Sequence, residues 1–259
     1  MLSLRSLLLL AALTASAQTP YRPPHGADGH PNLSAIWQAF DGPNWNLEPH
    51  AAGPGIVAQL GAAIASPPGL GVVEGGTIPY LPAALEKRKQ NFANRAKLDP
   101  EAKCYLPGVP RANYNGHPFQ IVQGKETMLI SYQYAGAVRQ IHMGVPKKAP
   151  IDQWMGWSNG HWEGDTLVVD VTGMNGDTWF DRAGNHHSEA LHVVERYTPR
   201  SADVLWYEAT IEDAKTFSMP WKIVLPLYRR AEPGARLMEF KCAEFAEEMM
   251  YGHRRKGAK

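Results

Sequence analysis

The chain is short of three things that would classify it quickly: cysteine, net charge and long apolar runs. It has two cysteines in 259 residues. Neither Cys104 nor Cys242 sits in a C-x-x-C or Cys–His spacing, which argues against a zinc knuckle and against thiol catalysis. Basic and acidic residues nearly balance, at 26 and 25. With no basic block there is no electrostatic footprint for nucleic acid or anionic lipid. The basic tail at 249–259, which contains "HRRKGAK", reads as a frayed terminus. The apolar run at 7–13 falls well short of the ~20 residues a membrane helix needs, and no later run is longer. No nucleic-acid partner and no membrane span are expected. Also missing are a G-x-S-x-G nucleophile elbow, an H-E-x-x-H metal motif and any glycine fingerprint in a strand–turn–helix setting.

What is present begins with "MLSLRSLLLLAALTASA". An early Arg5, an apolar stretch and Ala15-Ser16-Ala17 give the three regions of a secretory signal peptide over residues 1–17. Its removal takes away Arg5, which leaves the two signs of charge equal. A periplasmic or secreted protein is therefore expected. In an oxidising compartment the two cysteines should pair, with two separate buried thiols as the alternative.

Residues 18–115 read as a Pro/Gly-rich arm with one helix at 82–97, started by Pro82. Its expected buried face is Leu81, Leu85, Phe92 and Ala96. From Phe119 the period changes to two. "FQIVQG", "TMLISYQY", "AVRQIHM", "TLVVDVTG", "ALHVVERY", "VLWYEATIE", "WKIVLPLYR" and "LMEFKCAEF" are strand candidates, and "WEGDT" is a tight turn. Short strands with short connections predict an all-β fold, an antiparallel meander closed as a barrel over 116–248. In "PNLSAIWQ", Trp37 stands where a first strand would begin. This resembles the Gly-x-Trp opening of lipocalin-type barrels, although Ala35 replaces the glycine. The resemblance implies that Trp37 packs at a closed end under Arg229 or Arg230.

A wider resemblance rests on "GHWEGDTLVVDVTG", "TWFDRAGNHHSEALHVVERYT" and "YEATIEDAKTFSMPWKI", and extends back through "GLGVVEGGTIPYLPAALEKRKQNFANRAKLDPEAKCYLPGVPR". Together these resemble a widespread group of secreted bacterial proteins common in soil and environmental organisms. "HMGVPKKAPIDQWMGWS" departs from that pattern with a shorter, less acidic loop. The resemblance brings no activity with it, so chemistry must be read from the residues.

The richest stretch is the loop around "WFDRAGNHHSEALHVVERY". A carboxylate beside a histidine fixes its tautomer, and the pair can move a proton near neutral pH. The expected catalytic set is His187, His192, Asp181, Arg182 and Glu208, with His142, Arg139, Trp179, Trp206 and Asp170 binding substrate. Strand alternation puts His142, Asp170, His192 and Glu208 on polar faces, which either surround a cavity or face water. Glu195 interrupts the apolar face of its strand. No cofactor is expected. A divalent metal on His142, His187 and His192 is the weaker alternative, because the spacings do not match a metal motif. Eight tryptophans serve a core or an aromatic or sugar pocket. Two functions stay open: an exported lyase, isomerase or hydrolase using His–carboxylate chemistry on an aromatic, lactone or sugar-derived substrate, or a non-catalytic barrel that binds a small hydrophobic or aromatic ligand.

Overall fold

The computed structural model describes residues 21–40, 42–254 and 257. The signal peptide expected at 1–17 and part of the basic tail lie outside them. Nine strands close into a barrel in sequence order: β1 (Ala35–Gln38), β2 (Phe119–Val122), β3 (Thr127–Tyr132), β4 (Val138–Met143), β5 (Trp157–Glu163), β6 (Thr166–Thr172), β7 (His192–Pro199), β8 (Val204–Glu212) and β9 (Trp221–Arg229). The all-β barrel expected from the period of two is the observed fold.

Four details differ from the expectation. First, β4 and β5 pair in parallel, while every other neighbouring pair is antiparallel. Residues 144–156 form the crossover, the dozen or more residues that a parallel pair requires. Second, "WSNGHW" is a strand, although Ser158, Asn159 and Gly160 give it no apolar alternation. Gly160 packs where a Cβ would meet Ile141 Cγ2 and Met143 Sδ at 2.6 Å. Third, "LMEFKCAEF" is not a strand. After β9 the described residues leave the barrel and form a short helix, α4 (Ala246–Tyr251). Cys242 therefore ties the Cys104 turn to a C-terminal segment instead of to a last strand, across 138 residues. Fourth, the expected helix is two, α2 (Pro82–Ala93) and α3 (Arg95–Leu98). Leu85 and Phe92 are exposed, while Ala84 and Asn91 are buried.

The reason for the reversed helix face is Gly184. Its φ is +83°, and a Cβ there would lie 2.7–2.9 Å from Phe92 N, Asn91 Cβ and Arg88 O. The helix backbone rests on that glycine, with Asn91 Nδ2 donating to Gly184 O at 3.2 Å. Close backbone approach took precedence over the apolar stripe.

Barrel closure also uses the arm. Trp37 and Gln38 of β1 face Arg229 and Tyr228 of β9. Further along β9, Val73 bridges to Ile223, so the arm covers the rest of that edge. Arg229 and Arg230 are exposed, and Arg230 bonds Gln38 and Glu232. The Trp37 indole donates to Leu33 O at 2.9 Å.

Inside the barrel, Val193, Tyr197, Leu205, Tyr207, Ile211, Ile223 and Leu227 alternate inward along β7, β8 and β9, each fully buried. Glu195 shares their side at 0% exposure. Its Oε2 accepts from Arg139 Nη2, and its Oε1 accepts from Asn113 Nδ2 at 2.9 Å, Tyr197 Oη at 3.0 Å and Tyr207 Oη at 2.7 Å. Arg139 Nε donates to Ser158 Oγ at 2.8 Å. Burial acts to lower the Arg139 guanidinium, but Glu195 holds it well above the ordinary value. The interrupted face of "ALHVVERY" is thus the mark of a buried ion pair, and the barrel interior is a packed core.

Breaking such a pair from one side leaves a buried charge unmet, at a cost of about 3–5 kcal/mol. Glu195→Ala should lose about that much in a denaturant titration, and Arg139→Met with Glu195→Leu should recover a large part of it. A loss under about 1 kcal/mol for Glu195→Ala would mean that the pair does not hold the core.

Candidate functional site

The residues expected to form one catalytic set lie in three separate places. His192 and Asp170 are on the outer wall of the barrel. His192 Nε2 is 2.7 Å from Asp170 Oδ2, and its Nδ1 is 3.3 Å from Glu212 Oε2. Burial acts to lower the His192 imidazole, and the bonds to Asp170 and Glu212 outweigh it and raise it. His142 is also on this wall, stacked on Trp157 at 4.2 Å. Glu208 and Trp206 alternate with the inward residues of β8, so they face outward too. Glu208 reaches Lys222, not a histidine, at 4.0 Å. These polar faces therefore do not surround a cavity.

Arg139 is inside the barrel. His187 and Asp181 belong to the loop that seals one end of it. His187 is fully buried; Thr178 Oγ1 lies 2.6 Å from its Nε2 and Ser188 O lies 2.8 Å from its Nδ1. A carbonyl can only accept, so Nδ1 carries the proton and Nε2 accepts from the threonine hydroxyl. Burial lowers its pKa. Asp181, at 0% exposure, accepts from Leu47 N at 2.8 Å, Ala183 N at 2.9 Å, Asn185 N at 3.2 Å and Asn185 Nδ2 at 2.6 Å. Burial pushes its carboxyl up to about 6 against those donors. Asp181 is thus consumed in folding "DRAGN" into a turn. Trp179 is buried and bridges to His186 across the same loop. Neither Asp181 nor Glu208 orients a histidine ring.

Of the expected residues, Arg182 alone lines the large cavity. It faces a groove of about 670 Å³ between the arm, α2–α3 and the C-terminal segment. The groove floor begins with "DPEAK". Asp99 caps the 3-10 turn Pro100–Lys103 by accepting from Glu101 N at 2.9 Å, with Pro100 in its first position. That turn presents Asp99 and Glu101 to Arg111, which is 1% exposed. Arg111 Nη1 donates to Asp99 Oδ1 at 2.8 Å, Nη2 to Glu101 Oε2 at 2.5 Å, and Nε to Asn44 Oδ1 at 2.9 Å. Asn44 and Trp45 come from α1 (Gly42–Trp45) in the arm. Arg182 Nε donates to the same Glu101 Oε2 at 3.1 Å and Nη1 to Glu247 Oε1 at 3.2 Å, while its guanidinium lies 4.6 Å over Trp45. Burial pushes the Glu101 carboxyl up, and the two guanidiniums outweigh it and hold it down to about 2.

Aromatic side chains line the rest. Phe92, Tyr134, Phe240 and Phe245 join Trp45 around the groove, with His50 and His117 among them. Phe240 packs on Tyr134 at 5.1 Å and on His117 at 4.8 Å, which brings the C-terminal segment onto the barrel end. Sequence reading missed this site apart from Arg182. Its parts are scattered over Trp45, Phe92, Glu101 and Phe240, and no local spacing joins them. Among the described residues, no group of three or more His, Cys, Asp or Glu side chains is placed to hold a metal ion. No helix among them is long and apolar enough to cross a membrane. A search of protein-family models finds no match to this chain, and a search of curated proteins finds none either.

The loop histidines carry a pH signature. His186 stacks on Tyr80 at 5.7 Å, and burial, followed by His187, pushes its pKa down to about 4. Both histidines are neutral when folded, whereas the unfolded chain protonates them near 6.5. The contribution of His186 to stability is whole above about pH 6.5 and is lost as pH falls toward about 4, and His187 acts in the same direction. Asp181, with its raised pKa, works in the opposite sense, and comparison with a variant removes it. His186→Gln should therefore flatten the decline of Tm between pH 6.5 and 4.5 relative to the parent; parallel curves would contradict the assignment.

Proposed function

We propose that this chain is an exported small-molecule binding protein whose ligand occupies the groove beside the barrel. The observation that carries the reading is the groove itself. Its volume of about 670 Å³ falls in the range of ligand pockets, about 300–1,000 Å³. Five aromatic rings and a few fixed charges line it, a combination that buries a ring and orients its polar end. Two further features support export: the secretory pattern at 1–17, and a disulfide of the kind that persists in oxidising compartments.

The catalytic reading is kept for one reason. His192 lies between two carboxylates, which favour its protonated form and would make it a proton donor near neutral pH. It stands on an outer strand face, however, and not in the groove, so nothing there excludes water from a substrate. If that wall is catalytic, His192→Ala lowers turnover of a lactone, phenolic or sugar-derived substrate by about 10²–10⁴-fold.

For the binding reading, calorimetry with a panel of single-ring aromatic compounds is the direct check. Phe240→Ala and Trp45→Ala should each weaken binding by about 10–30-fold, the scale of a buried aromatic anchor. His192→Ala should leave it unchanged. Binding that survives both groove substitutions would place the ligand elsewhere.

A further inference from the structure

The charges around the groove are not evenly matched. Arg111 is met by Asp99 and Glu101, and Arg182 by Glu101 and Glu247. Arg95 is different. It starts α3 at the groove wall, half-buried, with its guanidinium 4.3 Å over the Phe92 ring. Nη1 donates to Phe92 O at 3.0 Å and Nη2 to Pro54 O at 3.5 Å. Both partners are neutral carbonyls. Among the described residues no carboxylate forms an ion pair with Arg95. Its Nε–H and one N–H on each terminal nitrogen have no partner among them. Burial pulls this guanidinium below its ordinary value, and Glu247 only partly offsets the effect from beyond ion-pair distance.

A guanidinium held over a ring and bonded to two backbone carbonyls has its position restrained before any ligand arrives. Its remaining N–H groups lie in the guanidinium plane, the geometry in which arginine meets a carboxylate. Glu247 shows that the groove admits such a group: its carboxylate already sits on the neighbouring Arg182. Phe92, Phe240 and Trp45 supply apolar surface in the same groove.

We propose that the groove selects aromatic carboxylates, with the ring among these side chains and the carboxylate on Arg95. This rests on the reading of the groove as the binding site. Glu247, whose field reaches Arg95, then opposes the incoming anion and limits its affinity. For a cationic ligand the roles reverse, with Glu247 as the anchor and Arg95 as the repelling group.

The test is calorimetry on the full mature chain with benzoate, 3-phenylpropanoate and cinnamate, each beside its primary amide. The acid should bind about 10-fold or more tighter than its amide, the scale of a charge-assisted bidentate contact. Arg95→Gln should remove that preference, weakening the acid far more than the amide, while Arg95→Lys, which keeps the charge without the fork, should fall between. Glu247→Gln should raise the preference for the acid over the amide. If acid and amide bind equally in the parent, or if the preference survives Arg95→Gln, carboxylate selection is wrong while the groove remains the binding site. If Glu247→Gln weakens the acid relative to its amide, the opposing role of Glu247 is wrong and the proposal is likewise overturned. If neither acid nor amide binds, or if binding ignores Phe240→Ala, the groove reading itself falls and takes this proposal with it.

Discussion

Arg111 is the constraint on which the rest of the site depends. Its guanidinium is removed from water and bonded to three side chains from two separate segments: Asn44 of the arm, and Asp99 and Glu101 of the turn after α3. A buried cation of this kind is tolerable only while its acceptors stay in place. Glu101 then holds Arg182, and Arg182 holds Glu247, so the network reaches from the arm through the turn and the sealing loop to the C-terminal segment. Together with α2–α3 those pieces frame the groove. The charges beneath it fix its shape, and the aromatic side chains above them give it something to bind with.

The barrel supplies the platform. Its interior is closed by side chains, and the Arg139–Glu195 pair with its tyrosines occupies the space that a ligand-carrying barrel would leave open. The loop at 179–187 caps one end with buried groups, and Tyr114 Oη donates to Phe180 O at 3.0 Å beneath it. Gly184 lets α2 lie on this cap, which brings Phe92 and, just beyond it, Arg95 to the groove. The disulfide between Cys104 and Cys242 fixes the opposite wall. In the loop-entropy description a closure of 138 residues contributes about 5 kcal/mol.

Much of the fold was legible because the barrel follows the plain period of two. "ALHVVERY", "VLWYEATIE" and "WKIVLPLYR" alternate as their burial does. "WSNGHW" was not legible: its inward positions are Ser158, which meets Arg139, and Gly160, which has no side chain to show a pattern. Glu195 was visible as an interruption, and Arg139 only as a substrate-binding candidate. Nothing local paired them, because the contact spans β4 and β7. In the loop, sequence shows which groups can titrate but not which are already spent. Asp181 is spent on backbone N–H groups and His187 on Thr178 and Ser188. Arg182 alone of the expected site residues lines the groove, because Asp181 and His187 are bonded within the cap.

The central claim is that a ligand sits between the arm and the C-terminal segment, outside the barrel. Amide chemical-shift mapping of the labelled protein during titration with a small aromatic compound measures this directly. The groove predicts shifts clustered at residues 45–56, 92–102 and 240–248, with Trp157, Asp170, His192 and Glu212 unmoved. Shifts concentrated on the outer wall around His192, with the groove silent, would contradict it.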